Sequence, residues 1–409
     1  MRKNFLFALV CFLALTGAQT VQAADEIYAT VDDNNKLTIY YDGQKASREG
    51  VVTTWTPNSG TWNMTNPQRE AITAVEIDAS MAAARPTTLN QWFCGLRTIT
   101  AITGLENLNT SEVTNMQELF ASCRELKAIN ISNFNTDKVT TMWNMFSWCT
   151  ALTELDLSTF NTQNVTNMSY MFCYCGALKT LDLSGFNTDN VKSMNSMFHD
   201  CKALSSINIS SFSTVKVTDM GGMFANCEAL VSVDLSKFVT NNVTSMPGMF
   251  EGCKALKALD LRKFNTGKVE SFYVMFANCA ALETLNIANF DMPNATQAGS
   301  MFEGCAALKT IMCKNNWSTY TEVESEDMFK GCVALTGEKG TEFDETHTDI
   351  AYARPDGGTE APGYFTTAGT AIDNVAAVQA PATKKIVKDG VLYLMYNGRM
   401  YDVRGTEIR

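Results

Sequence analysis

Cysteines recur along this 409-residue chain at Cys123, Cys149, Cys175, Cys201, Cys227, Cys253, Cys279 and Cys305, each 26 residues after the last, and at Cys332 after a step of 27. Thiolates bind metals and paired thiols form disulfides, so this spacing is the first place to look for chemistry. A structural zinc site draws on C-x-x-C pairs, whereas the one close pair here is Cys173 with Cys175. Disulfides fail on direction: equivalent side chains in stacked copies come within bonding range but point the same way. The pattern predicts a ladder of buried free thiols that fill space as small apolar residues. Cys313 falls in an apolar column and is expected in the core. Cys94 and Cys173 follow Phe directly, where other copies have Ser147, His199 or Glu251, and are expected to be the more exposed thiols.

A second column carries acids and amides: Asn130, Asp156, Asp182, Asn208, Asp234, Asp260 and Asn286. Each sits between two apolar residues, as Asp156 does between Leu155 and Leu157, and that alternation places the column on the open face of a strand. Neighbouring carboxylates ~4.8 Å apart repel by roughly 0.9 kcal/mol even in water. Asp156, Asp182, Asn208, Asp234 and Asp260 are therefore the candidate ligand-binding residues, for a partner or a cation. The other reading is a solvated, hydrogen-bonded polar row. Only His199 and His347 are available for imidazole chemistry, and His199 occupies a turn position expected at the surface. No nucleophile–base pairing, phosphate loop or H-E-x-x-H motif is present, so the chain reads as non-enzymatic, with no catalytic residue, metal or cofactor.

The elements that must carry these residues are short and repeated. Phe precedes each repeat cysteine by three positions, from Phe120 to Phe329, and Met precedes that Phe in every copy but the first, which has Leu119. A second Phe column runs from Phe134 to Phe290, and the two columns hold 16 of the 23 Phe. Fourteen of the 21 Met fall in two further columns and read as core filling. Leu155-Asp156-Leu157 suits a short strand. Val165, Met168, Met171, Phe172 and Cys175 suit one face of a helix or tight helical turn, with Thr166 and its equivalents Thr114, Thr140, Thr218 and Thr244 as caps. One unit cannot bury its own apolar face, but stacked copies cover one another. The fold class expected is an α/β, leucine-rich-repeat-like solenoid of about nine 26-residue strand-plus-short-helix units, stacking to roughly 43 Å.

The unit M-F-x-x-C-x-x-L-x-x-L-D-L-S-x-F-N-T-x-x-V-T-x-M resembles the repeat of BspA-like leucine-rich-repeat surface proteins of anaerobic gut and oral bacteria. The resemblance spans about residues 92–365 and includes cap-like pieces at Trp92-Phe93, Ile102-Thr103-Gly104-Leu105, Arg354 to Gly358 and Pro362 to Phe365. It implies a secreted or surface binding module, in some cases one that adheres to host matrix proteins or other cells. Near the end, Asp291-Met292-Pro293-Asn294-Ala295 replaces the N-T-x-x-V pattern, and one copy gains a residue, as a terminal capping unit would.

Composition and flanks complete the reading. Apolar residues make up 45% of the chain, enough for a packed core and too many for a disordered chain. The net charge is −11, against the basic face that nucleic acid requires. Arg2 and Lys3, an apolar run from Phe5 to Leu15, and Val21-Gln22-Ala23 read as a signal peptide over residues 1–23, cut near Ala23. Its removal leaves −13 and places the protein outside the cytoplasm, secreted or on the outer cell surface, with no later transmembrane helix. Residues 24–91 are expected to form an N-terminal β cap, 92–337 the solenoid, 338–365 a C-terminal cap, 366–383 a linker, and 384–409 a three-stranded β-meander with turns at Asp389-Gly390 and Asn397-Gly398. That tail resembles short C-terminal segments that serve as type IX sorting signals in some exported proteins. An accessory strand unit is the other reading. The function expected is adhesion to an extracellular protein or glycan through the exposed strand face, the alternative being a structural spacer or self-associating surface component.

Overall fold

The computed structural model describes residues 24–56 and 61–367, together with strands at 384–388, 391–396, 399–401 and 407–408. The proposed signal peptide, most of the linker and the Asp389-Gly390 and Asn397-Gly398 turns lie outside the described residues.

The N-terminal region is a sheet built from β1 (Glu26–Val31), β2 (Lys36–Asp42), β3 (Val51–Thr56), β4 (Thr61–Trp62), β5 (Ala74–Ile77) and β6 (Ile102–Thr103), in the order β4-β3-β1-β2-β5-β6. Leu37, Thr38 and Ile39 are all buried, so this central strand is covered on both faces there. One short helix, α1 (Asn66–Ala71), leads into β5 and begins with a Thr65–Gln68 capping box. The parallel pairing of β5 with β6 joins this sheet to the first coils.

From there the chain winds in coils stacked in register. Strands β7 (Thr180–Asp182) and β8 (Ser206–Asn208) pair in parallel, and so do β9 (Ala258–Asp260), β10 (Thr284–Asn286) and β11 (Thr310–Met312), always at a 26-residue offset. A second line of parallel bridges runs Thr88–Asn115–Thr141–Asn167–Ser193–Asp219–Ser245–Ser271–Gln297–Glu324. Between the two lines lies a third tie made by buried threonines. Thr188 Oγ1 donates to the carbonyl of Ser213 (2.8 Å) and accepts from the Ser213 N–H (2.8 Å), and Thr162, Thr214 and Thr240 do the same for their own next coils. These hydroxyls satisfy backbone groups that would otherwise be stranded in the interior.

The interior is a set of columns. Phe93, Phe120, Phe146, Phe172, Phe198, Phe224, Phe250, Phe276, Phe302 and Phe329 stack ring on ring with centroids 5.3–5.8 Å apart. Such offset stacks add to the burial of each ring. The methionine columns lie beside them, fully buried from Met116 to Met328.

The expected short helix is not what the Met–Phe–Cys segment forms. The segment makes two successive β-turns: Met171 N–H bonds to Met168 O and Cys175 N–H to Phe172 O. The third residue of each turn, Tyr170 and Tyr174, has φ near 60°, as a type II turn demands. Equivalent sites hold Asn144, Ser196, Asp200, Asn226 and Gly222, types that tolerate the left-handed region. A left-handed residue every four positions ends any helix. The N–H groups a helix would use internally bond to the next coil instead, as Phe172 N–H does to Met197 O at 2.9 Å. Thr166 therefore caps no helix; its hydroxyl donates to Thr140 O of the preceding coil (3.2 Å).

At the C-terminal end β11 pairs with β12 (Phe365–Thr366). Trp317 packs edge-on against Phe365 (4.8 Å), and Tyr364 closes the Phe stack by meeting Phe329 edge-on at 5.1 Å. Asp356 ties this segment together, accepting hydrogen bonds from Lys339 N–H, Thr341 N–H and hydroxyl, and Gly358 N–H. The tail forms four antiparallel strands rather than the expected three: β13 (Lys384–Lys388), β14 (Val391–Tyr396), β15 (Arg399–Tyr401) and β16 (Glu407–Ile408).

Candidate functional site

The strand face is ordered by side chains that close its corners. Asp156 Oδ1 accepts from the N–H two residues on, that of Ser158, at 2.9 Å. Asp182, Asn208, Asp234 and Asp260 repeat this bond at 3.0, 3.2, 2.9 and 3.1 Å. The side chain mimics a backbone turn and ends the strand, which is why the column holds Asp or Asn from Asn130 to Asn286 before Met312 takes the place in the last strand. Asp156, Asp182 and Asp234 are exposed, whereas Asn208 and Asp260 are half-buried. Asp260 also meets the Arg262 guanidinium at 3.0 Å. The Ser236 N–H, and next its hydroxyl, hold the Asp234 carboxyl below its ordinary pKa. The row is thus brought to one face, each member with one oxygen committed to the fold.

Neighbouring outward positions differ from coil to coil: Glu154, Thr180 and Ser206 give way to a buried Ser232 and then Ala258 and Thr284. Strand pairing is also uneven. Segments 128–130, 154–156 and 232–234 run without strand assignment, and in each the inner residue, Ile129, Leu155 or Val233, is only partly buried.

The cysteine column faces inward on the opposite side. Cys123, Cys149, Cys175, Cys201, Cys227, Cys253, Cys279, Cys305 and Cys332 are buried and free. Each Sγ lies 3.0–3.2 Å from the carbonyl oxygen of a Phe in the preceding coil. Burial pushes the Cys149 and Cys253 thiols up to about 12, so they stay protonated and unreactive. Cys313 is buried too. Cys94 is half-buried as expected of a more open thiol, but Cys173 is buried, at 3% exposure. The turn after Phe172 folds Cys173 under its neighbours, where its hydrogen bond from Ser147 and its burial leave no open edge. His199 is half-buried, with Nε2 2.8 Å from Asp200 Oδ2.

One group escaped the sequence reading. Trp143, Trp148, Tyr170, Tyr174 and Tyr273 lie on the outer side of the double turns. Trp148, Tyr170 and Tyr273 are 37%, 37% and 50% exposed. Their signal was present: each is an aromatic in a column that elsewhere holds mostly small or polar residues, such as Ser169, Asn195 and Gly221. Among the described residues no group of three or more His, Cys, Asp or Glu is arranged to hold a metal, and no helix is long and apolar enough to cross a membrane.

In-register coils with stacked Phe and Cys columns define a solenoid repeat protein. The chain belongs to the family described as "Mycoplasma protein of unknown function, DUF285", whose model matches residues 87–206, 156–257 and 219–342. No curated protein matches it. Among solved structures, it is similar at 16% identity to a leucine-rich cell surface protein of Faecalibacterium prausnitzii A2-165, over 76% of this chain and 92% of that one, with a TM-score of 0.27. It is also 16% identical to TLR13 in its complex with ssRNA13, over 67% of this chain and 41% of that one, with a TM-score of 0.28.

Proposed function

We propose that the chain is a secreted or cell-surface protein without catalytic activity. Its strand face, centred on Asp156, Asp182, Asn208, Asp234 and Asp260, binds an extracellular macromolecule, protein or glycan. The observation that carries this reading is the contrast between a constant frame and variable outward residues from Glu154 to Thr284. Repeat solenoids use such faces as extended binding surfaces. A spacer role is the second reading, favoured by the hydrogen bonds that occupy one oxygen of every Asp and Asn in the row. The first 23 residues act as the signal peptide and the tail from Lys384 as a separate unit that serves sorting.

The mature chain, residues 24–409, is presented to an array of matrix proteins and glycans. Binding predicts saturable signals on a subset, reduced about tenfold or more in the triple variant Asp156→Asn, Asp182→Asn, Asp234→Asn. The amide keeps the turn bond and removes the charge, so loss of binding reports recognition rather than unfolding. An array with no saturable signal selects the spacer. Cell fractionation after deletion of Lys384–Arg409 tests sorting, with retention inside the envelope expected and normal surface display against it.

A further inference from the structure

The outer side of the double turns is not uniform. At one place Trp148 and Tyr174 stack at 3.8 Å, with the Arg124 guanidinium over Trp148 (5.2 Å) and the His199 ring against Tyr174 (5.5 Å). Arg124 and His199 take up the outer faces of that stack, so it staples coils together although Trp148 is still 37% exposed. Two other tyrosines differ. Tyr170 touches Trp143 edge-on at 6.3 Å and remains 37% exposed. Tyr273 lies over Gly299, where a Cβ would stand 3.7 Å from its ring, and is 50% exposed.

Four coils separate these rings, a span of ~19 Å at ~4.8 Å per coil. The floor between them is made of small and polar residues: Ser193, Asn195 and Ser196, then Asp219, Gly221 and Gly222, then Ser245, Pro247 and Gly248, with the His199 ring beside Gly222 and the Glu251 carboxylate beside Gly248. Gly221 lies close under its neighbour: a Cβ there would stand 3.0 Å from Asn195 Nδ2, so the amide would have to shift to admit one. The Asn195 amide lies along the strip, with Nδ2 3.3 Å from Asp219 Oδ1, and Ser193 Oγ meets Ser169 Oγ at 2.7 Å. The charges on the strip are acidic: Asp219 in the floor and Glu251 beside Gly248.

We propose that this strip binds an extended, uncharged oligosaccharide. Its terminal sugar rings lay their apolar C–H faces on Tyr170 and Tyr273, and the hydroxyls of the intervening units bond to Asn195, Asp219, Ser193 and Ser196. Charge complementarity selects this ligand. No Lys or Arg stands among the floor positions to meet a sulfated glycan or a nucleic acid. A protein partner would find its aromatic anchors at the two ends and a hydroxyl and amide floor where an interface places its apolar centre. Aromatic faces combined with a few placed polar groups are the usual chemistry of a small-molecule site. The strip lies on a different side from the strand face, and the inference stands or falls independently of that reading.

Calorimetry of the mature chain with cellohexaose, xylohexaose and mannohexaose, and with a heparin hexasaccharide as the charged control, tests it. At least one neutral hexasaccharide binds saturably and heparin does not. Tyr170→Ala with Tyr273→Ala loses about tenfold or more in affinity, whereas Tyr170→Phe with Tyr273→Phe keeps binding because the rings remain. Circular dichroism and melting of both double variants verify that the coils are intact. No binding of any neutral hexasaccharide overturns the inference, as does wild-type affinity in the alanine variant. So does a loss of hexasaccharide binding with the strand-face Asp→Asn triple in place of the tyrosine pair, which would move the ligand to the other face.

Discussion

The turn side and the strand side of the same coil are held by different means. On the turn side every backbone link to the next coil repeats: Phe146 to Met171, Phe172 to Met197, Phe198 to Met223 and Phe224 to Met249 are all 2.9 Å. On the strand side the ladder lapses at 154–156 and 232–234 and resumes between. The register is stored on the turn side. A continuous ring stack and two hydrogen bonds per threonine fix the stacking, and the strand side follows with looser packing.

Truncation should break the symmetry between the two sides most visibly. Phe198→Ala opens a gap between Phe172 and Phe224 and is expected to cost about 3–5 kcal/mol in chemical denaturation. Leu155→Ala, at a partly buried position, should cost about 1–2 kcal/mol. Equal losses would show that the strand side shares the register. Next in size is Thr188→Val, which preserves shape and strands the carbonyl and N–H of Ser213, for an expected loss of about 2 kcal/mol.

A change in the opposite direction sharpens the picture. Val274 has φ near 49°, a region costly for a β-branched side chain. Val274→Gly should stabilise the fold by about 0.5–1 kcal/mol after the entropy cost of glycine, and a fall in melting temperature would contradict the strain. The smallest effect belongs to the strand face: Asp234→Asn should shift stability at neutral pH by less than about 0.5 kcal/mol, since Asn208 already makes the same bond. Its trace appears in acid. Because hydrogen bonds from Ser236 hold the Asp234 pKa low, its contribution is whole above the unfolded value near 3.9 and fades as pH falls through the lower folded value. The Asn variant should therefore lose less stability than the native chain between about pH 4 and pH 2.

Much of this was written in the spacing. The 26-residue period located the Phe and Cys columns and the outward Asp row, and the β character of the non-repeating segment 24–91 was legible in its local composition. What the period could not distinguish was a helix from two linked turns, because apolar residues three and four apart line one side of either. The deciding signal was the recurrence of Asn, Ser, Asp and Gly just before Met and just before Cys, where φ is positive. Cys173, expected to be more open because its column elsewhere holds Ser147, His199 and Glu251, is folded in by the tight turn. The turn bonds of the Asp row were equally hidden, since a carboxylate that closes a corner and one that awaits a partner read alike in sequence.

The uniform step from coil to coil has a hereditary consequence. Excising Ser169 through Met194 joins Met168 to Asn195, the residue that follows the same core column one coil later. Ring would still meet ring, since Phe146, Phe172 and Phe198 occupy interchangeable places in the stack. Unequal crossover within the gene can thus shorten or lengthen the protein by whole layers, about 4.8 Å at a time, without inventing a new interior. The distance between the two ends of the molecule is therefore a trait that selection can set in discrete steps, independently of the residues displayed along the way.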